Sequence, residues 1–158
     1  PEALMRGYVT WNEKTIAPDD NVLMQQVWKS VKPSILKYQQ LYIPLAPGGH
    51  VDHRLVRNMI LDHLDELIRA GVEVSFFEDL PYSWYDGLAE EIALMSDELR
   101  LTPQYFDVSD VLDSKIELLR GYRCQLADSD IRKVKEHAER IKHKALTERV
   151  WQISKRVT

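Results

Sequence analysis

The chain has 158 residues, 44% hydrophobic and 29% charged, with 21 Lys and Arg against 25 Asp and Glu for a formal net charge of −4. This is material for one globular domain or a large piece of one, and the slightly acidic balance gives no electrostatic footprint for nucleic acid. No apolar run approaches the roughly 20 residues needed to span a bilayer, and the first residues show no signal-peptide pattern. The single cysteine, Cys124, excludes a disulfide within this sequence and suits a reducing cytoplasm.

In chain order, Asp19 and Asp20 precede a predicted helix carrying Val22, Leu23, Gln26, Val27 and Val31 and stopped by Pro33. Carboxylates at that position meet unpaired backbone N–H groups. Gln40 to Leu45 (QLYIPL) reads as a short buried strand. Ala46-Pro47-Gly48-Gly49 then forms a turn whose glycines let backbone approach a ligand closely. From about Asp52 to Ala70 the apolar positions Leu55, Val56, Met59, Ile60, Leu64, Leu67 and Ile68 recur with helical spacing, and Gly71 stands in the C′ position. Val72 to Phe77 (VEVSFF) is a second strand, followed by an aromatic-rich loop from Glu78 to Gly87. A helix is predicted over Leu88 to Leu99 and a short strand over Gln104 to Val108.

Asp110 opens a helix bearing Val111, Leu112, Ile116, Leu119, Tyr122 and Leu126, on which Cys124 reads as a small core residue. A last long helix runs from about Asp130, with Ile131, Val134, Ala138, Ile141 and Ala145 on one face. The basic residues from Arg132 to Arg156 are interleaved with Glu136, Glu139 and Glu148, the pattern of a solvated surface. No pattern assigns the segment from Leu146 to Thr158, which carries Trp151 and Ile153. Strands separated by helices predict an α/β fold in which a parallel sheet has helices on both faces. About three strands are legible, and the chain opens at Pro1. The expectation is therefore that residues 1–158 are the carboxyl-terminal portion of a single larger domain.

Gly48-Gly49-His50-Val51-Asp52-His53-Arg54 places two imidazoles and a carboxylate where a loop becomes a helix, at the carboxyl end of a strand. This run, followed by Phe77-Glu78-Asp79-Leu80-Pro81-Tyr82 and by Lys115 to Gln125 (KIELLRGYRCQ), resembles the PIG-L/LmbE-like family of zinc-dependent N-deacetylases. The family's second motif is His-x-Asp-His, and its later signature is a helix of the form Lys…Tyr-x-Ser-Gln, with Cys124 here in the serine's place. The resemblance implies a Rossmann-like, LmbE-like fold. It also shows that the family's first motif, His-Pro-Asp-Asp-Glu, has no equivalent in this sequence; Asp19-Asp20 lack its histidine and its preceding strand.

By the same resemblance, His53 is a Zn2+ ligand that joins a histidine and an aspartate of the first motif. Two imidazoles and a carboxylate would leave a coordination position open for water. His50 is not a ligand in the family but a neighbour of the reacting carbonyl, placed to stabilise the oxyanion and protonate the leaving amine. Asp52 is the local candidate for orienting His50, or else caps the helix. Arg54 contacts a substrate hydroxyl or phosphate, or is an exposed helix arginine. Tyr82, Trp84 and Tyr85 line a glycan pocket, or pack beneath a long loop. Lys115, Tyr122 and Gln125 share one helix face and fix the loops around the pocket.

The implied function is hydrolysis of the acetamide of an N-acetylglucosamine-type conjugate in the cytoplasm, by an enzyme compatible with homo-oligomer formation. A noncatalytic LmbE-like module that binds a glycan or a partner subunit is the alternative. A structural metal site built on both histidines ranks last, because such sites are closed by four ligands and rich in cysteine.

Overall fold

The computed structural model describes residues 3–84, 87–141 and 145–153. They form two compact units that meet in sequence between Asp79 and Leu80.

The first unit opens with a single 3-10 turn, Ala3–Arg6, and continues through α1 (Pro18–Ile35), β1 (Gln40–Pro44), α2 (Val51–Asp62), α3 (Leu64–Arg69) and β2 (Glu73–Phe77). β1 and β2 pair in parallel, from Gln40 opposite Glu73 to Pro44 opposite Phe77. The parallel pairing requires a crossover, which α2 and α3 supply. Ile43, Leu45, Val74 and Phe76 are buried on the strands, and Leu55, Met59, Ile60 and Leu67 on the helices. Helical and two-residue periodicities therefore converge on a common set of apolar positions.

Two details of this unit differ from the sequence reading. α1 runs through Pro33 to Ile35 rather than stopping before it. Pro33 lies in the last turn, and helical backbone continues two residues past it although its ring supplies no N–H to the turn before. The single long helix expected after β1 is broken at His63 (φ −112°, ψ 13°) into α2 and α3. There the His63 ring stacks on Trp28 of α1, with centroids 4.2 Å apart and planes 6° from parallel. Gly71 ends the crossover at φ 80°, the left-handed conformation expected of a C′ glycine.

The second unit contains α4 (Leu88–Leu99), β3 (Leu101–Asp107), α5 (Leu112–Arg120), α6 (Asp128–Arg140) and β4 (Thr147–Ile153). β3 and β4 are antiparallel, with Leu101 opposite Ile153 and Asp107 opposite Thr147. β4 is the element that the sequence pattern did not assign. Its deeply buried positions, Thr147 and Trp151, are four residues apart, and the intermediate burial between them leaves no clean alternation to read. β3 starts three residues earlier than expected, directly after Arg100 turns the chain at φ 53°. Its side chains beyond Leu101 are exposed, and it includes Pro103, which lacks a ladder donor. The α/β class holds, with an antiparallel pair added to the parallel one.

α5 ends at Arg120, six residues before the apolar pattern does. From there Tyr122 bonds back to Leu119 O and Gln125 to Tyr122 O, three-residue links that close turns rather than extend the helix. Cys124 is exposed on this turn, not in a core. α6 buries Ile131, Val134 and Ala138 as its periodicity requires, and Asp130 reaches back to the Ala127 N–H at 3.1 Å. Among the described residues, no helix is long and apolar enough to cross a membrane.

Phe76 is fully buried at the middle of the first unit. Phe76→Ala should lower unfolding free energy by about 3–5 kcal/mol. A denaturant titration followed by far-UV circular dichroism will measure it.

Candidate active site

Because β1 and β2 run parallel, the loops that leave their carboxyl ends emerge side by side. The ladder continues one step past the strands, with Leu45 N donating to Phe77 O at 2.8 Å. Ala46 follows at φ 57°, a left-handed conformation that a Cβ resists at a cost of roughly 1–2 kcal/mol. The Gly49 N–H bonds back to Ala46 O at 3.2 Å with Gly49 at φ 75°, so the turn closes where a side chain would be strained. His50 is the N-cap residue of α2, and its carbonyl accepts the first helical bond from Arg54 N at 2.9 Å.

The structure brings His50 and His53 together, with ring centroids 4.4 Å apart and planes 21° from parallel. Trp11 stacks on His50 at 5.6 Å, and the Trp11 carbonyl accepts the Val51 N–H at 2.7 Å. On the other side, His53 Nδ1 lies 2.6 Å from Asp79 Oδ2. Asp79 is only 4% exposed, and its second oxygen, Oδ1, accepts the Ala46 N–H at 3.0 Å. One carboxylate from the loop after β2 thus holds both the turn after β1 and the histidine on α2.

Asp79 had no assigned role in the sequence reading. The available signal was an acidic residue just past the carboxyl end of a strand parallel to the one that precedes the histidines.

Asp52 meets a different geometry from the one expected. Its Oδ2 accepts the Ala3 N–H at 3.1 Å and its Oδ1 accepts from Arg6 Nη2 at 2.6 Å. On the first turn of a helix a side chain leans toward the N-terminal side, and here that side holds the 3-10 turn rather than the His50 ring. Arg6 also donates from Nε to Asp20 Oδ1 at 2.8 Å. Tyr8 donates to Asp20 Oδ2 at 2.7 Å and accepts the Ala17 N–H at 2.7 Å. Burial opposes the Arg6 charge, but the hydrogen bonds and charges of Asp52 and Asp20 outweigh it and raise the guanidinium's pKa. Burial raises the Tyr8 pKa, with Asp20 adding to it against the Ala17 hydrogen bond and the nearby Arg6 charge.

Arg54 is committed as well. Its Nη1 and Nη2 donate to the carbonyls of Glu13 and Lys14 at 2.7 and 2.8 Å, so its guanidinium anchors the loop before α1 instead of pointing at a substrate. In the second unit, Trp84 carries the Arg140 guanidinium over its ring at 3.9 Å and meets the edge of His137 at 6.1 Å. Tyr82 is half-buried, and Tyr85 lies outside the described residues. Lys115 pairs with Glu148 at 2.5 Å, tying α5 to β4. Tyr122 and Gln125, expected on the same helix face as Lys115, instead lie in the turns beyond α5.

Among the described residues, no three His, Cys, Asp or Glu side chains converge as a metal cage. The donor chemistry at His53 nevertheless suits one ligand of such a site. A ring nitrogen held by a carboxylate is the arrangement that metal-binding histidines typically adopt.

No family model matches the chain. It is 31% identical over 142 residues to 2'-N-acetylparomamine deacetylase of Streptomyces fradiae, a match that covers 88% of this chain and 50% of that protein. Three solved deacetylase structures share its fold. One is a deacetylase of teicoplanin biosynthesis (TM-score 0.69, 22% identity), covering 92% of this chain and 58% of that one. The zinc-inhibited form of teicoplanin deacetylase gives 0.67 and 21%, with coverages of 92% and 57%. An A40926 pseudoaglycone deacetylase gives 0.64 and 20%, with coverages of 89% and 60%. The chain therefore spans about half the length of the relatives it matches. Its resemblance to LmbE/PIG-L-type deacetylases, read from His50-Val51-Asp52-His53, holds in both sequence and fold.

Arg6→Met would leave the buried Asp20 carboxylate without its cation and should destabilise the protein by about 3–5 kcal/mol, read from the urea midpoint. Tyr8 holds its proton more tightly in the folded state than in the unfolded one. Its contribution is thus complete below pH ~10 and lost as pH rises through the higher folded value. Tyr8→Phe should flatten that alkaline decline in a thermal-melt series.

Proposed function

We propose that this chain carries part of the active site of a metal-dependent hydrolase that removes the acetyl group from an N-acetylated amino-sugar conjugate. The observation that carries the reading is the stacked His50–His53 pair, with His53 anchored through Nδ1 to the buried Asp79, where α2 begins beyond the carboxyl end of β1. Support comes from the relatives: one is named for deacetylating 2'-N-acetylparomamine, and others are deacetylases of teicoplanin biosynthesis or of A40926 pseudoaglycone. The zinc-inhibited form of a neighbour supports a site of this kind that can bind zinc, the ion proposed here.

In this reading His53 contributes one metal ligand, and the companions belong to that half of the relatives' length which the chain does not span. When bound, the ion would supply a water of pKa near ~7 and polarise the acetamide carbonyl. His50 hydrogen-bonds the carbonyl oxygen through a ring N–H as charge develops there, keeps that proton, and passes it to the amine nitrogen as the C–N bond breaks, a role typically worth a factor of ~10²–10⁴. Asp52 acts through position. Held by Arg6 and the Ala3 amide, it fixes the start of α2 and with it both imidazoles. Arg54 does the same for the neighbouring loop. Tyr82 and Trp84 are proposed for the sugar on the affinity of aromatic rings for sugar faces alone. The setting proposed is the cytoplasm, where the exposed Cys124 stays reduced.

In the intact protein, His53→Ala should abolish zinc retention measured by elemental analysis, whereas His50→Ala should keep the metal and lose acetate release by about 10²-fold or more. Zinc retained in the first variant would remove the ligand assignment. Undiminished acetate release in the second would remove the proton-donor role. A protein that binds zinc and an acetylated aminoglycoside yet releases no acetate would be a noncatalytic glycan-binding module.

A further inference from the structure

We propose that Asp79 is a positioning residue that selects the tautomer of His53: it accepts a hydrogen bond from Nδ1–H, holds the proton on that nitrogen, and so leaves Nε2 as the nitrogen presented to the metal. The inference rests on the reading of His53 as a metal ligand and adds to it a residue from a different loop. An ionised carboxylate only accepts hydrogen bonds, so a 2.6 Å contact between His53 Nδ1 and Asp79 Oδ2 requires the proton to sit on Nδ1 of the neutral ring. The carboxylate is itself fixed. Its side chain is 3% exposed, and its other oxygen is held by the Ala46 N–H at 3.0 Å.

Two oxygens serving two donors explain why an amide or a shorter side chain would not substitute. An asparagine offers one acceptor oxygen, so it can satisfy Ala46 or His53 but not both, and its NH2 group turned toward His53 would favour the opposite tautomer. The ring has little freedom to escape, because His50 stacks on it at 4.4 Å. Glu78 beside Asp79 is buried as well, and Asp20, a further buried carboxylate, is occupied by Arg6 and Tyr8 and faces neither histidine ring through those contacts. Asp79 therefore does for His53 what the sequence predicts of Asp52 for His50.

The test uses the intact protein, stripped of metal and then titrated with zinc alone against a competing chelator. Long-range 15N–1H spectra of the metal-free protein, taken at about pH 9 where an ordinary imidazole is neutral, report which His53 nitrogen bears the proton. The expected result is Nδ1 protonated in the native protein, a mixture or Nε2 protonated in Asp79→Asn, and a loss of zinc affinity of about 10–100-fold in that variant. A proton on Nε2 in the native protein would overturn the proposal without recourse to any variant, so a poorly folded Asp79→Asn does not leave it undecided. Native zinc affinity in a folded Asp79→Asn, with affinity lost in His53→Ala, would overturn the positioning role and keep the ligand reading. Native affinity in His53→Ala as well would overturn both.

Discussion

The first unit depends on the parallel pairing of β1 and β2, because that pairing delivers two loops to the same edge and lets one buried carboxylate fasten them. Asp79 holds the Ala46 N–H and the His53 ring at once. Ala46 adopts a left-handed backbone that no alanine favours. That strain persists only because the ladder bond from Leu45 N to Phe77 O and the carboxylate behind it over-determine the turn. The same turn sets the point at which α2 starts, and so where both histidines stand.

A second carboxylate system closes the site from the amino-terminal side. Asp20 at the start of α1 and Asp52 at the start of α2 share the Arg6 guanidinium, and Tyr8 ties Asp20 to the Ala17 amide. Both acids also lie in the first turns of helices, where the backbone N–H groups favour negative charge. A buried ion pair adds little net stability relative to apolar packing, since desolvation offsets much of the attraction. Its consequence here is geometric: the fold of the first residues is coupled to the position of α2. Trp11 completes that coupling by stacking on His50 while its carbonyl receives Val51 N.

The second unit is organised by a different pairing. β3 and β4 join antiparallel across the long excursion through α5 and α6, and Lys115 on α5 meets Glu148 on β4. The aromatic loop contributes Trp84 to this unit, where Arg140 and His137 of α6 cover parts of its ring. The lysine of the later signature is thus a tether between elements, in keeping with a supporting rather than a chemical role.

The sequence by itself determined the α/β class, the places of β1, β2 and α4, the start of α6 though not its end, and the meeting of His50 and His53 at a strand-to-helix junction. Each of these rests on local information: periodicity along an element, or a glycine that fixes a turn. His50 is the N-cap of α2 and His53 lies in its first turn three residues on, so their proximity is local in sequence although His50 itself stands outside the helix. Tertiary structure decided the rest. Asp79 lies 26 residues from His53, and Arg6 lies 46 from Asp52, separations over which no periodicity speaks. The break at His63 falls where its ring stacks on Trp28 of α1, and β4 pairs with β3. Arg54 and Asp52 looked available for substrate or catalysis because a sequence does not reveal which polar groups elsewhere in the chain will claim them. In the folded molecule backbone carbonyls claim the first, and Arg6 with the Ala3 amide claims the second, since buried donors and acceptors must find partners.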